Sequence, residues 1–225
     1  MMIRENANAK KIMVVSLFWG ALWGITEATL GYLAHLVLFI PAIAGFIMFP
    51  IGFYFMNRAY KEIKKNGAIF GTAAVAASIK LVDLLLPGLH PIKTINPAIS
   101  ILMEALVVLL VLKVMIPNAD YGTARFRFRE AFTAAVVWRM GFILYSLLLF
   151  SLSIYREFFQ MEAVHLLRFL LLESVINGVI IAVYLKAESA FNRNRSWSFS
   201  PASGARTVIA AALFTAAILV KLILA

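Results

Sequence analysis

Seven apolar runs, each about as long as the roughly 20 residues a helix needs to cross ~30 Å of hydrocarbon, fill most of this 225-residue chain. They lie at roughly 12–38, 42–60, 67–86, 97–116, 130–153, 164–186 and 206–225. Inside a bilayer no water satisfies an exposed peptide group, so runs of this kind fold as helices. The composition agrees. The chain is 63% hydrophobic and 14% charged, where soluble domains sit near half apolar and about a quarter charged. The expected fold is all-α: a polytopic transmembrane helix bundle with a six-helix core and a seventh C-terminal span. The second run is the shortest and contains Pro50. Such a break is tolerated where a neighbour satisfies the carbonyl that proline frees.

The charges between the runs fall on alternate links. Arg4, Lys10 and Lys11 precede the first run; Arg58, Lys61, Lys64 and Lys65 follow the second. Lys113, Arg125, Arg127 and Arg129 follow the fourth; Lys186, Arg193, Arg195 and Arg206 follow the sixth. The opposite links hold only Lys93, Arg156 and Lys221. Basic excess marks the cytoplasmic side. This places the N-terminus inside and predicts a multi-pass protein of the cell inner (plasma) membrane. The formal charge of +10 is then a topology signal, and no nucleic acid is expected as a partner. "RFRFR" at 125–129 reads as a contact to lipid headgroups. The first run continues far beyond the 7–15 residues of a signal-peptide core, so it reads as a retained span. Residues 1–190 read as a substrate-binding bundle, 191–205 as a cytoplasmic linker and 206–225 as a C-terminal span, an appendage to the core.

The chain has no cysteine, and its three histidines, His35, His90 and His165, form no metal-binding pair. No metal, cofactor or catalytic residue is expected, and the chain does not read as an enzyme.

Ionisable residues inside the runs are the main functional signal. A charge at the bilayer centre costs at least about 2.5–3.5 kcal/mol. Glu27, Lys80, Asp83, Glu104, Arg139, Arg168 and Glu173 all fall inside spans, so they pair with one another or line a wet cavity. Asn96, Ser100 and Glu104 stand at i, i+4, i+8 and make one polar stripe. Lys80 and Asp83 at i, i+3 are expected to form a salt bridge. Glu173 and Asn177 share a face at i, i+4, whereas Arg168 projects nearly opposite Asn177. The candidate substrate-binding residues are therefore Glu27, Lys80, Asp83, Asn96, Ser100, Glu104, Arg139, Glu173 and Asn177.

Glu27 stands in "GALWGITEATLG" beside a stripe of small residues that includes Gly20 and Gly24. Gly67 and Gly71 repeat the device at the start of the third run. Small residues at this spacing admit another helix closely, either for internal packing or as an intermolecular groove.

These features resemble the substrate-binding subunits (S-components) of energy-coupling-factor vitamin transporters. The resemblance rests on "GALWGITEATLG", the proline link "FIPAIAG", "KKNGAIFGTAAVAASIK", "NPAISILMEALV" and "ESVINGVIIAV", and it covers about residues 12–190. It implies a six-helix subunit that captures a vitamin or related small polar molecule near the outer face. It also implies association with a transmembrane coupling subunit and cytoplasmic ATPases. Gly20, Gly24 and Ala28 fit the positions that contact the coupling subunit, with Gly67 and Gly71 as a second small-residue face. The seventh span and the short first link depart from the family. The alternative is a self-sufficient ion- or proton-coupled secondary transporter that uses the intramembrane carboxylates.

Overall fold

The computed structural model describes residues 2–37, 43–85, 91–116, 128–152, 154, 163–192 and 204–224. The links at 39–42, 117–127 and 193–203, with the basic residues they hold, and His90 and Arg156 lie outside these. The described residues are all-helical. The helices are α1 (Met2–Val37), α2 (Ile43–Ile63), α3 (Asn66–Leu81) with a 3-10 turn Val82–Leu85, α4 (Pro91–Met115) and α5 (Phe128–Ser151). A rod follows, made of α6 (Ala163–Leu167), a π-helical turn Arg168–Leu172 and α7 (Glu173–Asn192), and then α8 (Gly204–Leu224).

Among the described residues six stretches are long and apolar enough to cross a membrane: Asn8–Leu30, Asn66–Leu85, Thr94–Met115, Phe128–Ser151, Val164–Ala190 and Gly204–Leu222. This marks a multi-pass membrane protein. α2 is not among them, because Asn57, Arg58, Lys61 and Glu62 crowd its C-terminal end. Outward faces are apolar, as contact with lipid tails requires. Leu110 on α4, Leu144 and Leu148 on α5 and Val183 on α7 are all half or more exposed.

The helix directions follow from close contacts. A Cβ at Gly67 would touch Ile12, one at Gly71 would meet Ser16, one at Gly20 would meet Thr72 and Val75, and one at Gly24 would meet Ile79. The numbers rise together, so α1 and α3 run parallel, and α2 returns the chain between them. α2 and α7 are also parallel, through Asn177 to Phe46, Asn57 to Tyr184 and Lys61 to Glu188. α5 runs antiparallel to α4, through Tyr145 to Asn96 and Gly141 to Met103. The bundle thus alternates direction from one long helix to the next.

Two expectations change here. The glycine stripe does not leave an open groove. A Cβ on Gly20 would stand 2.6 Å from the Thr72 carbonyl oxygen, and one on Gly24 would stand 2.5 Å from Ile79 Cδ1. Ala28 is buried as well. Gly20, Gly24, Gly67 and Gly71 serve the α1–α3 contact, because a helix without side chains along one line lets its neighbour's backbone approach. Nor is the C-terminal helix an appendage. Ala217 packs with Ala21 and Ile79, joined by Leu213 and Phe214. Lys221 donates to Asp83 Oδ2 at 2.7 Å, and Arg206 Nη2 donates to Glu62 Oε2 at 2.6 Å. Trp19 Nε1 donates to the same carboxylate oxygen at 2.9 Å, tying α1, α2 and α8 at one end.

Candidate functional site

A cavity of about 270 Å³ lies among α1, α2, α4, α5 and the π turn. The polar stripe of α4 faces it whole: Asn96, Ser100 and Glu104 all line it, as helical periodicity requires of positions four apart. Glu27 joins from α1, one turn beyond Trp23. The remaining wall is largely aromatic, with Phe49 from α2, Trp138 and Phe142 from α5 and Phe169 from the π turn. These last three rings pack edge to face or tilted, with centroids 5.9 to 6.4 Å apart.

Glu104 is 4% exposed and makes no hydrogen bond or ion pair among the described residues. Its place depends on Gly52 of α2. A Cβ there would stand 3.1 Å from Glu104 Oε2 and 2.4 Å from Trp23 Cζ2. The bare backbone at Gly52 is what lets an indole and a carboxylate pack against α2. Glu27 lies within electrostatic reach of Lys80 and Lys221, and Glu104 within reach of Glu27 and Arg139. Asn96 Oδ1 accepts from the Tyr145 hydroxyl at 3.1 Å. The Nε1 atoms of Trp23 and Trp138 are buried with no hydrogen-bond partner among the described residues.

The other sequence candidates form two separate clusters. Lys80 and Asp83 make the expected ion pair, at 3.3 Å, and Lys221 of α8 completes it as a triad. None of the three lines the cavity. Arg139, Glu173 and Asn177 meet behind the aromatic wall. Arg139 is 0% exposed. It donates to Asn177 Oδ1 at 2.7 Å, to Ser174 Oγ at 3.2 Å and to the Ala135 carbonyl at 3.1 Å, and its Nη2 lies 3.5 Å from Glu173 Oε2. The guanidinium also stacks 4.7 Å from the Trp138 ring and 5.3 Å from the Phe169 ring. A buried guanidinium is stable only when paired and hydrogen-bonded, and this one meets both conditions. Arg139 thus supports the wall from behind.

Asn177 has a second task. Pro50 lacks an N–H, which frees the carbonyl four residues back, that of Phe46. Asn177 Nδ2 donates to this oxygen at 2.6 Å. Arg168 reaches Phe46 too, with its guanidinium 5.5 Å from the ring. Straight-helix geometry put Arg168 and Asn177 on opposite sides. The π turn between them takes in an extra residue and turns one end by roughly 100°, which brings both to α2.

The charge and periodicity signals in the sequence singled out Glu27, the α4 stripe, Arg139, Glu173 and Asn177, without pairing the last three. They did not find the ring cluster of Phe49, Trp138, Phe142 and Phe169, or Gly52, Ser174 and Lys221. Trp138 and Phe142 at i, i+4 carried a signal of a shared face. Gly52 and Lys221 carried none without the contacts. No family model, curated protein or solved structure matches the chain. Geometry therefore carries the functional reading.

Proposed function

We propose that this chain is a substrate-capture subunit for uptake across the cell inner (plasma) membrane. It holds a vitamin or related small polar molecule and is energised by partner ATPases through a transmembrane coupling subunit. The observation that carries this reading is the cavity. Ligand sites are apolar hollows with a few placed polar groups, and here two carboxylates, an amide and a hydroxyl stand in an aromatic wall. The resemblance to S-components supplies the ATPase partners. In this reading the N-terminus is cytoplasmic and the chain crosses seven times, with α2 counted because it returns the chain between parallel neighbours.

A specific observation favours a second reading, a proton- or ion-coupled carrier: Glu27 and Glu104 share the cavity and make no ion pair among the described residues. Two measurements separate the readings. Tagged protein drawn gently from native membranes should bring a second membrane subunit and nucleotide-binding ATPases. Purified chain alone in liposomes should bind but not accumulate substrate under an imposed proton gradient. Gradient-driven accumulation by the chain alone would overturn the capture reading.

A further inference from the structure

Resting on the capture reading, we propose that the cavity selects a small organic cation: an amine or quaternary ammonium carried on a flat apolar body. The charge balance of the wall is the first ground. Glu27 and Glu104 line the cavity, and among the described residues no lysine, arginine or histidine does. Glu104 is nine-tenths buried, faces the space and has no partner among the described residues. A carboxyl group held so in a membrane interior either keeps its proton or takes a counter-charge. The buried cation within electrostatic reach of Glu104, Arg139, is already engaged by Glu173, Asn177 and Ser174 and stands behind the rings. A ligand ammonium is then the counter-charge that would let Glu104 ionise.

The rings are the second, independent ground. Trp138, Phe142 and Phe169 offer π faces and edges around the same space, and ring faces attract ammonium groups once water is excluded. A bare metal ion fits poorly. No group of three His, Cys, Asp or Glu side chains that could hold one exists among the described residues, and most of the wall offers no oxygen. The size is the third ground. About 270 Å³ lies at the lower edge of ligand cavities, which span about 300–1,000 Å³, so the cation is compact.

The test uses the full chain in nanodiscs and three probes of similar shape: benzyltrimethylammonium, benzyl alcohol and benzoate. Intrinsic tryptophan fluorescence reports binding, because Trp23 and Trp138 line the site. We expect saturable quenching by the cation, at least tenfold tighter than by either other probe. Glu104→Gln, checked for a native elution profile and melting temperature, should weaken the cation at least tenfold and leave benzyl alcohol within about twofold. Phe142→Leu keeps an apolar side chain but removes the ring, and should also weaken the cation selectively. Where Glu104→Gln fails to fold, Phe142→Leu and Glu27→Gln give the same reading. Equal or tighter binding of benzoate or benzyl alcohol would overturn cation selectivity and leave the capture reading standing. Loss of all three probes from wild-type protein would overturn it as well. Co-purification of ATPases judges the capture reading independently of either result.

Discussion

Asn177 satisfies two groups at once. Its oxygen accepts from Arg139, and its nitrogen donates to the carbonyl that Pro50 leaves without a partner. A buried polar group stripped of its partner costs about 1–3 kcal/mol, more when charged. Asn177→Leu strips both, so it should lower stability by several kcal/mol. The two losses are separable. Pro50→Ala restores an N–H four residues after Phe46, so that oxygen regains a backbone donor. In wild-type protein Pro50→Ala should change little. In the Asn177→Leu background it should recover roughly 1 kcal/mol or more. Thermal or SDS-induced unfolding of the four proteins measures the coupling. Equal effects of Pro50→Ala in both backgrounds would show that Asn177 does not compensate for the proline. The proline was visible in the sequence, and so was the need for a compensating donor. Which residue supplies it was not, because that depends on a contact between positions 131 apart.

At the scale of elements, the glycines of α1 and α3 decide how closely two parallel helices approach. Their environments differ enough to rank substitutions. Gly20→Ala drives a methyl against the Thr72 carbonyl at 2.6 Å, and backbone moves only if the helices part. Gly24→Ala meets Ile79, whose Cδ1 at 2.5 Å can turn aside but whose Cγ2 and Cβ at 3.0 and 3.1 Å must give by a few tenths of an ångström. Gly67→Ala makes an ordinary contact with Ile12 at 3.6 Å. Overpacking costs about 1–3 kcal/mol, while alanine favours a helix over glycine by roughly 1 kcal/mol. The expected order of stability is Gly67→Ala at or above wild type, then Gly24→Ala, then Gly20→Ala lowest by about 1–3 kcal/mol. Melting temperatures in one detergent give the ranking. A Gly20→Ala protein as stable as wild type but unable to hold a membrane partner would return the stripe to an intermolecular role. The stripe itself was legible, since spacing alone aligns it. The side from which it is filled was not, because periodicity gives a face and not the identity of the neighbour. The α4 stripe was fully legible because its three members lie on one helix. The ring cluster was not, because it combines α2, α5 and a π turn, and phenylalanine is too common in membrane helices to signal a site.

At the scale of the whole molecule, two ionic clusters mark the ends of the bundle. Glu62 binds Trp19 and Arg206, and Asp83 binds Lys80 and Lys221. Arg206 and Lys221 are 15 residues apart on α8, about 22 Å along its axis. Since α8 meets the end of α2 first and the end of α3 last, it runs parallel to α3. Parallel α3 and α8 are consistent with a crossing by each of α4, α5 and the α6–α7 rod between them. The long helix that holds no membrane-length apolar stretch among the described residues, α2, is the critical one. It carries four polar or charged residues near its end, yet parallel α1 and α3 require the chain to come back between them. Single cysteines in this cysteine-free chain test the point with a membrane-impermeant thiol reagent. Ala42→Cys and Gly88→Cys should label in intact cells. Lys65→Cys and Ala124→Cys should label only after the membrane is opened, as the basic links following α2 and α4 require of a cytoplasmic side. Labelling of Ala42→Cys and Lys65→Cys from the same side would mean that α2 does not cross. Glu27 of α1 and the stripe of α4 would then lie at a different depth, and access to the cavity would have to be assigned afresh.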